Sequence, residues 1–198
     1  NDFSMSPPPN SHSTRFLFLA RLLFSKGVKE YMQACHLLKQ KYPDVHCSIV
    51  GSIVLGNSDS LEQEEIDEWS RVDGMDFLGY SDDPRSLIVS NDCVVLPSYR
   101  EGTPRVLLES AAIGRPIIAA NSIGTREPVV DGVTGFICKV KDSYDLFLKM
   151  EKIHVMSSKE RDFMGFEGRK FMERSYDVNF VVDEYMQKIT TFCPLRSQ

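Results

Sequence analysis

Five short apolar runs constrain what this chain can fold into. They are 15–20 (RFLFLA), 45–50 (VHCSIV), 75–78 (MDFL), 93–96 (CVVL) and 116–119 (PIIA). Runs this short and this apolar read as strands, most of them buried. Gly51, Gly79 and Pro97 stop three of them. Helical segments are expected between them. In 28–41, Val28, Tyr31, Met32, Cys35, Leu37 and Leu38 recur at helical spacing, and Tyr42, Pro43 and Asp44 end the helix. Segment 61–70 has an acidic outer face, with Leu61, Ile66 and Trp69 turned inward. Segment 84–90 starts at Pro84, behind a cap from Asp82 or Asp83. Three helices close the chain, at 143–155, 157–173 and 178–191. The first is amphipathic through Leu146, Phe147 and Met150, the last through Phe180, Val181, Tyr185 and Ile189. A short helical turn is expected in 123–130, and a hairpin or short strand in 132–140. Strands alternating with helices give an α/β fold with a doubly wound parallel sheet.

In such sheets a ligand sits beyond the carboxyl ends of the strands. That rule selects the loops 21–27, 51–60, 79–83 and 98–103. The first holds Arg21 and Lys26, a guanidinium fork and a point charge suited to a diphosphate. Alone, the two would be ordinary solvated cations. The last runs into 100–115, REGTPRVLLESAAIGR. There Glu101 is followed by Gly102, Thr103 and Pro104, and then by an apolar helical run that carries Glu109. Thr103 is expected to be the N-cap and Pro104 the first helical residue. Free N–H groups from Arg105 through Val106 to Leu107 would then face the loop, ready for an anion such as phosphate. Two carboxylates beside a phosphate site are better suited to accept hydrogen bonds from hydroxyls, such as those of sugars. Glu109, on a nearly all-apolar helix, needs a polar partner, either a ligand hydroxyl or an internal arginine. Arg100 and Arg105 could serve phosphates or sugar, or pair with Glu101 or another acid.

Composition narrows the remaining classes. With 198 residues, 42% hydrophobic and 26% charged, the chain can bury a substantial core. A net charge of −5 argues against nonspecific nucleic-acid binding. Five cysteines, an odd number lying mostly in apolar runs, are expected to be buried free thiols of a reducing compartment. No dinucleotide fingerprint, P-loop or G-x-S-x-G elbow occurs. His12, His36, His46 and His154 are scattered without metal-ligand spacing, and the acids of 62–68 form a solvated helix face. Residues 1–14, with three consecutive prolines and four serines, read as a linker. The chain begins with Asn1 and is expected to be part of a longer protein.

Three segments carry a family resemblance. ARLLFSKG (20–27) resembles a G-R-L-x-x-x-K-G signature, EGTPRVLLE (101–109) matches an E-x7-E motif, and GTREPVVDGVTGFI (124–137) resembles the glycine-punctuated segment that follows it. In this order and spacing they resemble the C-terminal, donor-binding half of a retaining glycosyltransferase of family 4, with the GT-B fold. The REGTPR form is similar to bacterial surface-polysaccharide enzymes, many of which use UDP-sugars.

The resemblance implies that Arg21 and Lys26 bind the donor diphosphate and stabilise the departing nucleotide. It implies that Glu101 holds hydroxyls of the donor sugar, and that backbone near Gly102, Thr103, Arg105, Val106 and Leu107 meets the phosphates. Glu109 would hold the ribose, Gly51 would permit close ligand approach, and backbone of 78–80 would line the base. No metal and no cofactor are implied, the nucleotide-sugar being a substrate. Residues 15–175 would form the donor domain. The helix of 176–198 would pack back on an N-terminal half that binds a polysaccharide or lipid-linked acceptor, and without that half the chain is expected to be inactive. A cytoplasmic enzyme, at the inner face of the membrane, is implied. Two sequence departures stand out: Ala20 replaces a glycine, and Thr103-Pro104-Arg105 replaces the commoner Phe-Gly type. Two rival readings are a GT-B sugar-nucleotide epimerase half and a non-enzymatic α/β binding module.

Overall fold

A computed structural model describes residues 3–9 and 13–192. His12 and Cys193 lie outside the described residues, as do parts of 1–14 and of 176–198. The strands are β1 (Arg15–Leu19), β2 (His46–Val50), β3 (Met75–Phe77), β4 (Cys93–Leu96), β5 (Ile117–Ala120) and β6 (Gly135–Cys138). They form one parallel sheet in the order β3-β2-β1-β4-β5-β6. The helices are α1 (Val28–Lys41), α2 (Gln63–Trp69), α3 (Pro84–Val89), α4 (Arg105–Ile113), α5 (Ser143–Val155), α6 (Ser158–Ser175) and α7 (Val178–Phe192). The fold is therefore the doubly wound α/β class expected from the apolar runs.

Burial explains why those runs are so apolar. All four residues of β4 and of β5 are buried. Along β1, alternate side chains leave by opposite faces. Phe16 and Phe18 join the larger core with Val95, Tyr31 of α1 and Met150 of α5. Leu17 joins a smaller core with Val50, Val94, Ile88 of α3 and Ile113 of α4. Both faces are covered, so no polar stripe is left to mark these strands. Leu61, Ile66 and Trp69 are buried, as the α2 pattern predicts.

Several local expectations are corrected. Of the hairpin or short strand expected in 132–140, the short strand forms: β6 lies parallel to β5, pairing Gly135 with Ile117. Segment 123–130 turns repeatedly without becoming helical. Gly124 sits at φ +88°, and Pro128 has no N–H to extend a helix. Of 1–14, residues 3–9 have no regular structure yet are anchored to the helix layer. Ser6 N–H donates to Ile113 O at 3.0 Å, and Arg169 Nη1 donates to Phe3 O at 2.9 Å. Arg115, 2% exposed, donates to Ser6 O, Pro7 O and Val89 O. A guanidinium that deep must find acceptors, and the proline-rich segment supplies two of them.

In α7, Tyr185 and Ile189 are exposed, together with Val178, Val182 and Met186. The side chains of Phe180 and Val181 lie outside the described residues. Cys35, Cys47, Cys93 and Cys138 are buried free thiols. Among the described residues no helix is long and apolar enough to cross a membrane.

Candidate functional site

Chain order reverses between β1 and β4, which lie side by side. Loops leaving adjacent strands in opposite directions open a crevice at their carboxyl ends. The loop after β1 and the loop after β4 meet there. Lys26 Nζ lies 2.5 Å from Glu101 Oε1, and each side chain is only about one-sixth exposed (17% and 16%). A cation and an anion thus face each other across the crevice, close to solvent but mostly shielded from it.

Backbone contacts hold the two loops together. A short 3₁₀ turn, Phe24–Lys26, ends at Gly27 and leads into α1. Within it, the Ser25 carbonyl accepts from Ser98 Oγ at 3.1 Å and from Tyr99 N–H at 2.9 Å. Asp59 binds the other side of Ser25. Its Oδ2 accepts from Ser25 N–H at 3.3 Å and from Ser25 Oγ. The Tyr99 hydroxyl donates to Glu30 Oε1 at 2.7 Å. Burial first, and then the Glu30 carboxylate, push that phenol well above the usual tyrosine range. Ser25, Asp59, Tyr99 and Glu30 were not singled out by sequence reasoning. Asp59 lies in a loop whose polarity looks unremarkable, and only the fold brings it to Ser25.

The Glu101 loop is also fixed from its far side. Glu101 N–H donates to Ile123 O at 3.0 Å, and Ser122 Oγ donates to Ser98 O at 2.7 Å. A Cβ on Gly124 would lie 2.0 Å from Gly102 O and 2.2 Å from Glu101 O. The third signature segment therefore starts as a buttress under the second.

The start of α4 differs from expectation. The helix begins at Arg105, with Pro104 as N-cap in an extended conformation and no side-chain cap from Thr103. Pro104 loses nothing there, because its carbonyl is the group a cap must offer; it accepts from Leu107 N–H at 3.0 Å. Leu107 is fully buried with its N–H engaged, and so drops out as an anion ligand. The N–H groups of Gly102, Thr103, Arg105 and Val106 have no partner among the described residues.

Glu109 is paired with an arginine, though an exposed one on its own helix rather than an internal one. Arg105 Nη2 lies 3.0 Å from Glu109 Oε1, with Arg105 86% exposed and Glu109 14%. Arg100 is exposed, and its side chain has no ion pair among the described residues.

Arg21 is exposed and likewise unpaired among the described residues. It lines a recess of about 200 Å³ with Gly51, Ser52, Tyr80 and Ser81. Gly51 has a packing reason of its own, since a Cβ there would lie 1.8 Å from Ala20 O. The largest concavity among those described, about 760 Å³, lies elsewhere, between α1 and α2. Among the described residues no three His, Cys, Asp or Glu side chains gather as a metal-binding group.

The loops beyond the carboxyl ends of β1, β2 and β4, together with α4, therefore carry free amides, the exposed cations Arg21, Arg100 and Arg105, and the mostly shielded carboxylates Glu101 and Glu109. They suit a ligand with both anionic and hydroxyl groups. The S. aureus "capsular polysaccharide biosynthesis glycosyltransferase CapM" is 26% identical over 175 residues, covering 88% of this chain and 45% of that protein. The chain thus spans under half the length of curated relatives that it matches. Anabaena Alr3699/HepE, solved in complex with UDP, superposes with a TM-score of 0.80 at 23% identity, over 90% of this chain and 49% of that one. The C-terminal domain of the Francisella tularensis group 1 glycosyl transferase LpcC superposes with a TM-score of 0.73 at 23% identity, over 87% of this chain and 89% of that one. At such identities both show a shared fold. The sequence profile described as "Glycosyl transferases group 1" matches residues 3–171, so the chain belongs to the group 1 glycosyl transferases.

Proposed function

We propose that this chain is the nucleotide-sugar-binding domain of a retaining glycosyltransferase, with UDP-sugars the favoured donors. The observation that carries the reading is the Lys26–Glu101 pair across the sheet's switch point. A diphosphate needs cations and free amides, and a sugar needs hydroxyl acceptors. Two separate signature segments bring both together here.

Lys26 and Arg21 would bind the donor diphosphate, helped by the amides of Gly102, Thr103, Arg105 and Val106. As the bond from sugar to phosphate breaks, charge grows on the departing nucleotide. Preorganised cations and N–H groups stabilise that charge more than they stabilise the intact donor, which lowers the barrier. Glu101 would accept hydrogen bonds from the donor sugar and Glu109 from the ribose. The recess beside Arg21 would take the base. CapM and HepE support this reading by what they are named for or bind, a capsular polysaccharide pathway and UDP. The acceptor would be a polysaccharide or a lipid-linked sugar, bound by an N-terminal half and met at the cytoplasmic face of a membrane. No metal is required by this scheme, because the cations and the helix start supply the positive field.

Calorimetric titration of the chain with UDP, GDP and their sugars tests the proposal. Saturable binding of one nucleotide series is expected. A folded chain that binds none of them contradicts it.

A further inference from the structure

The two carboxylates of the motif are both occupied by cations in the structure. Glu101 holds Lys26, and Glu109 holds Arg105. The second pair has an asymmetry that the first lacks: Glu109 is mostly shielded, while the Arg105 guanidinium stands 86% exposed. Arg105 is the first residue of α4, the end where the helix dipole disfavours a cation. Its side chain is drawn forward along the helix by Glu109, four residues on. Side chains on a helix lean towards its N-terminus, so a released guanidinium falls naturally beside the free amides of Arg105 and Val106. An anion at those amides would give Arg105 a partner and remove the dipole penalty together.

Taking the crevice as a donor site, we propose that Arg105 is a diphosphate ligand that Glu109 holds in reserve. When a diphosphate reaches the start of α4, Arg105 leaves the carboxylate for the phosphate. Glu109 is then free to accept hydrogen bonds from hydroxyls. The pair is a single i, i+4 contact whose arginine side stands in solvent, and with the cation nearer the helix start it works against the dipole, so the exchange meets little resistance. Its consequence is an order of recognition. Hydroxyl groups compete poorly for Glu109 until a phosphate has removed Arg105, so free nucleosides and sugars are rejected while their diphosphates are accepted. Arg105 thus contributes selectivity for the phosphorylated donor.

The test is a double-mutant cycle with inorganic pyrophosphate, a probe without ribose. Calorimetry is run on the wild-type chain, Arg105→Ala, Glu109→Gln and the double variant, with thermal melts showing that each is folded. Arg105→Ala should weaken pyrophosphate binding by about tenfold or more, as loss of a charge-assisted bond does. Glu109→Gln should tighten it roughly two- to fivefold, the range spanned by exposed ion pairs. In the Arg105→Ala background the Glu109→Gln gain should disappear, and Arg105→Lys should keep most of the affinity. An equal gain in both backgrounds overturns the proposal, because Glu109 would then act only as a nearby charge. A wild-type chain that binds neither pyrophosphate nor any nucleoside diphosphate overturns the donor-site reading, and this inference with it. A chain that binds a nucleoside diphosphate equally well with Arg105→Ala overturns this inference alone.

Discussion

Gly124→Ala should separate the geometry of the site from the stability of the fold. Gly124 sits at φ +88°, where an alanine is strained by about 1–2 kcal/mol. In a domain of this size that lowers Tm by roughly 2–8 °C. The new Cβ also meets Gly102 O at 2.0 Å and Glu101 O at 2.2 Å. The loop carrying Glu101 must draw back by about 1 Å before the contact is tolerable, and a shift of that size can cost about a hundredfold at a reacting centre. Nucleotide-sugar affinity should therefore fall at least about tenfold, beyond what the melt alone suggests. Gly114→Ala is the control. It has the same φ of +88°, but its Cβ meets the flexible Met5 side chain at 3.3 Å and backbone only at an ordinary 3.8 Å, from Gly165 O. It should lose a similar amount of stability and no affinity. Thermal melts paired with calorimetric titration measure both quantities. Full affinity in Gly124→Ala, or an equal loss in Gly114→Ala, refutes the argument.

Asp59→Ala removes the acceptor of both Ser25 donors, so nucleotide affinity should fall several-fold in calorimetry while Tm moves only modestly. Arg115→Met leaves the Ser6, Pro7 and Val89 carbonyls without their donor and should cost roughly 2–4 kcal/mol in urea denaturation. Loss of exchange protection at the Ser6 amide would show the segment 3–9 released; retained protection would contradict its anchoring by Arg115. His154 gives a pH test. Burial, reinforced by Arg161, holds its pKa below the usual value against the pull of Asp44 and Glu151. The unfolded chain then takes up the proton first, so stability is full above about pH 6.5 and falls as pH drops through that value towards the folded pKa. Urea midpoints from pH 8 to 5 should show that decline, and His154→Gln should flatten it.

The strands were legible because a sheet covered on both faces leaves its strands almost wholly apolar, as in CVVL of β4. The sheet-edge rule then located Lys26 and Glu101 from two separate loops, and the structure brings them together. Other features depend on partners remote in sequence. Ser25 and Asp59 are 34 positions apart, and Tyr99 and Glu30 are 69 apart. No local pattern marks either pair. The start of α4 was misplaced by one residue because Thr103 and Pro104 fit the two preferred cap positions equally well in sequence, whereas in the fold Pro104 takes the cap and Leu107 turns its N–H inward. Residues 3–9 read as linker in sequence because of their prolines and serines. Their docking rests on carbonyl oxygens, which every sequence has, and on one buried arginine, Arg115.

If the loop after β1 supplies the cation for a diphosphate at the start of α4, Lys26 is that cation. Replacing Lys26 with alanine tests it most directly, provided Glu101→Gln is made in the same chain so that no unpaired carboxylate repels the ligand. Calorimetric titration with the nucleoside diphosphate that the wild-type chain binds should show affinity weakened by roughly ten- to a hundredfold, the value of one charge-assisted bond to phosphate. An unchanged affinity in a chain that melts as a folded protein would contradict the account.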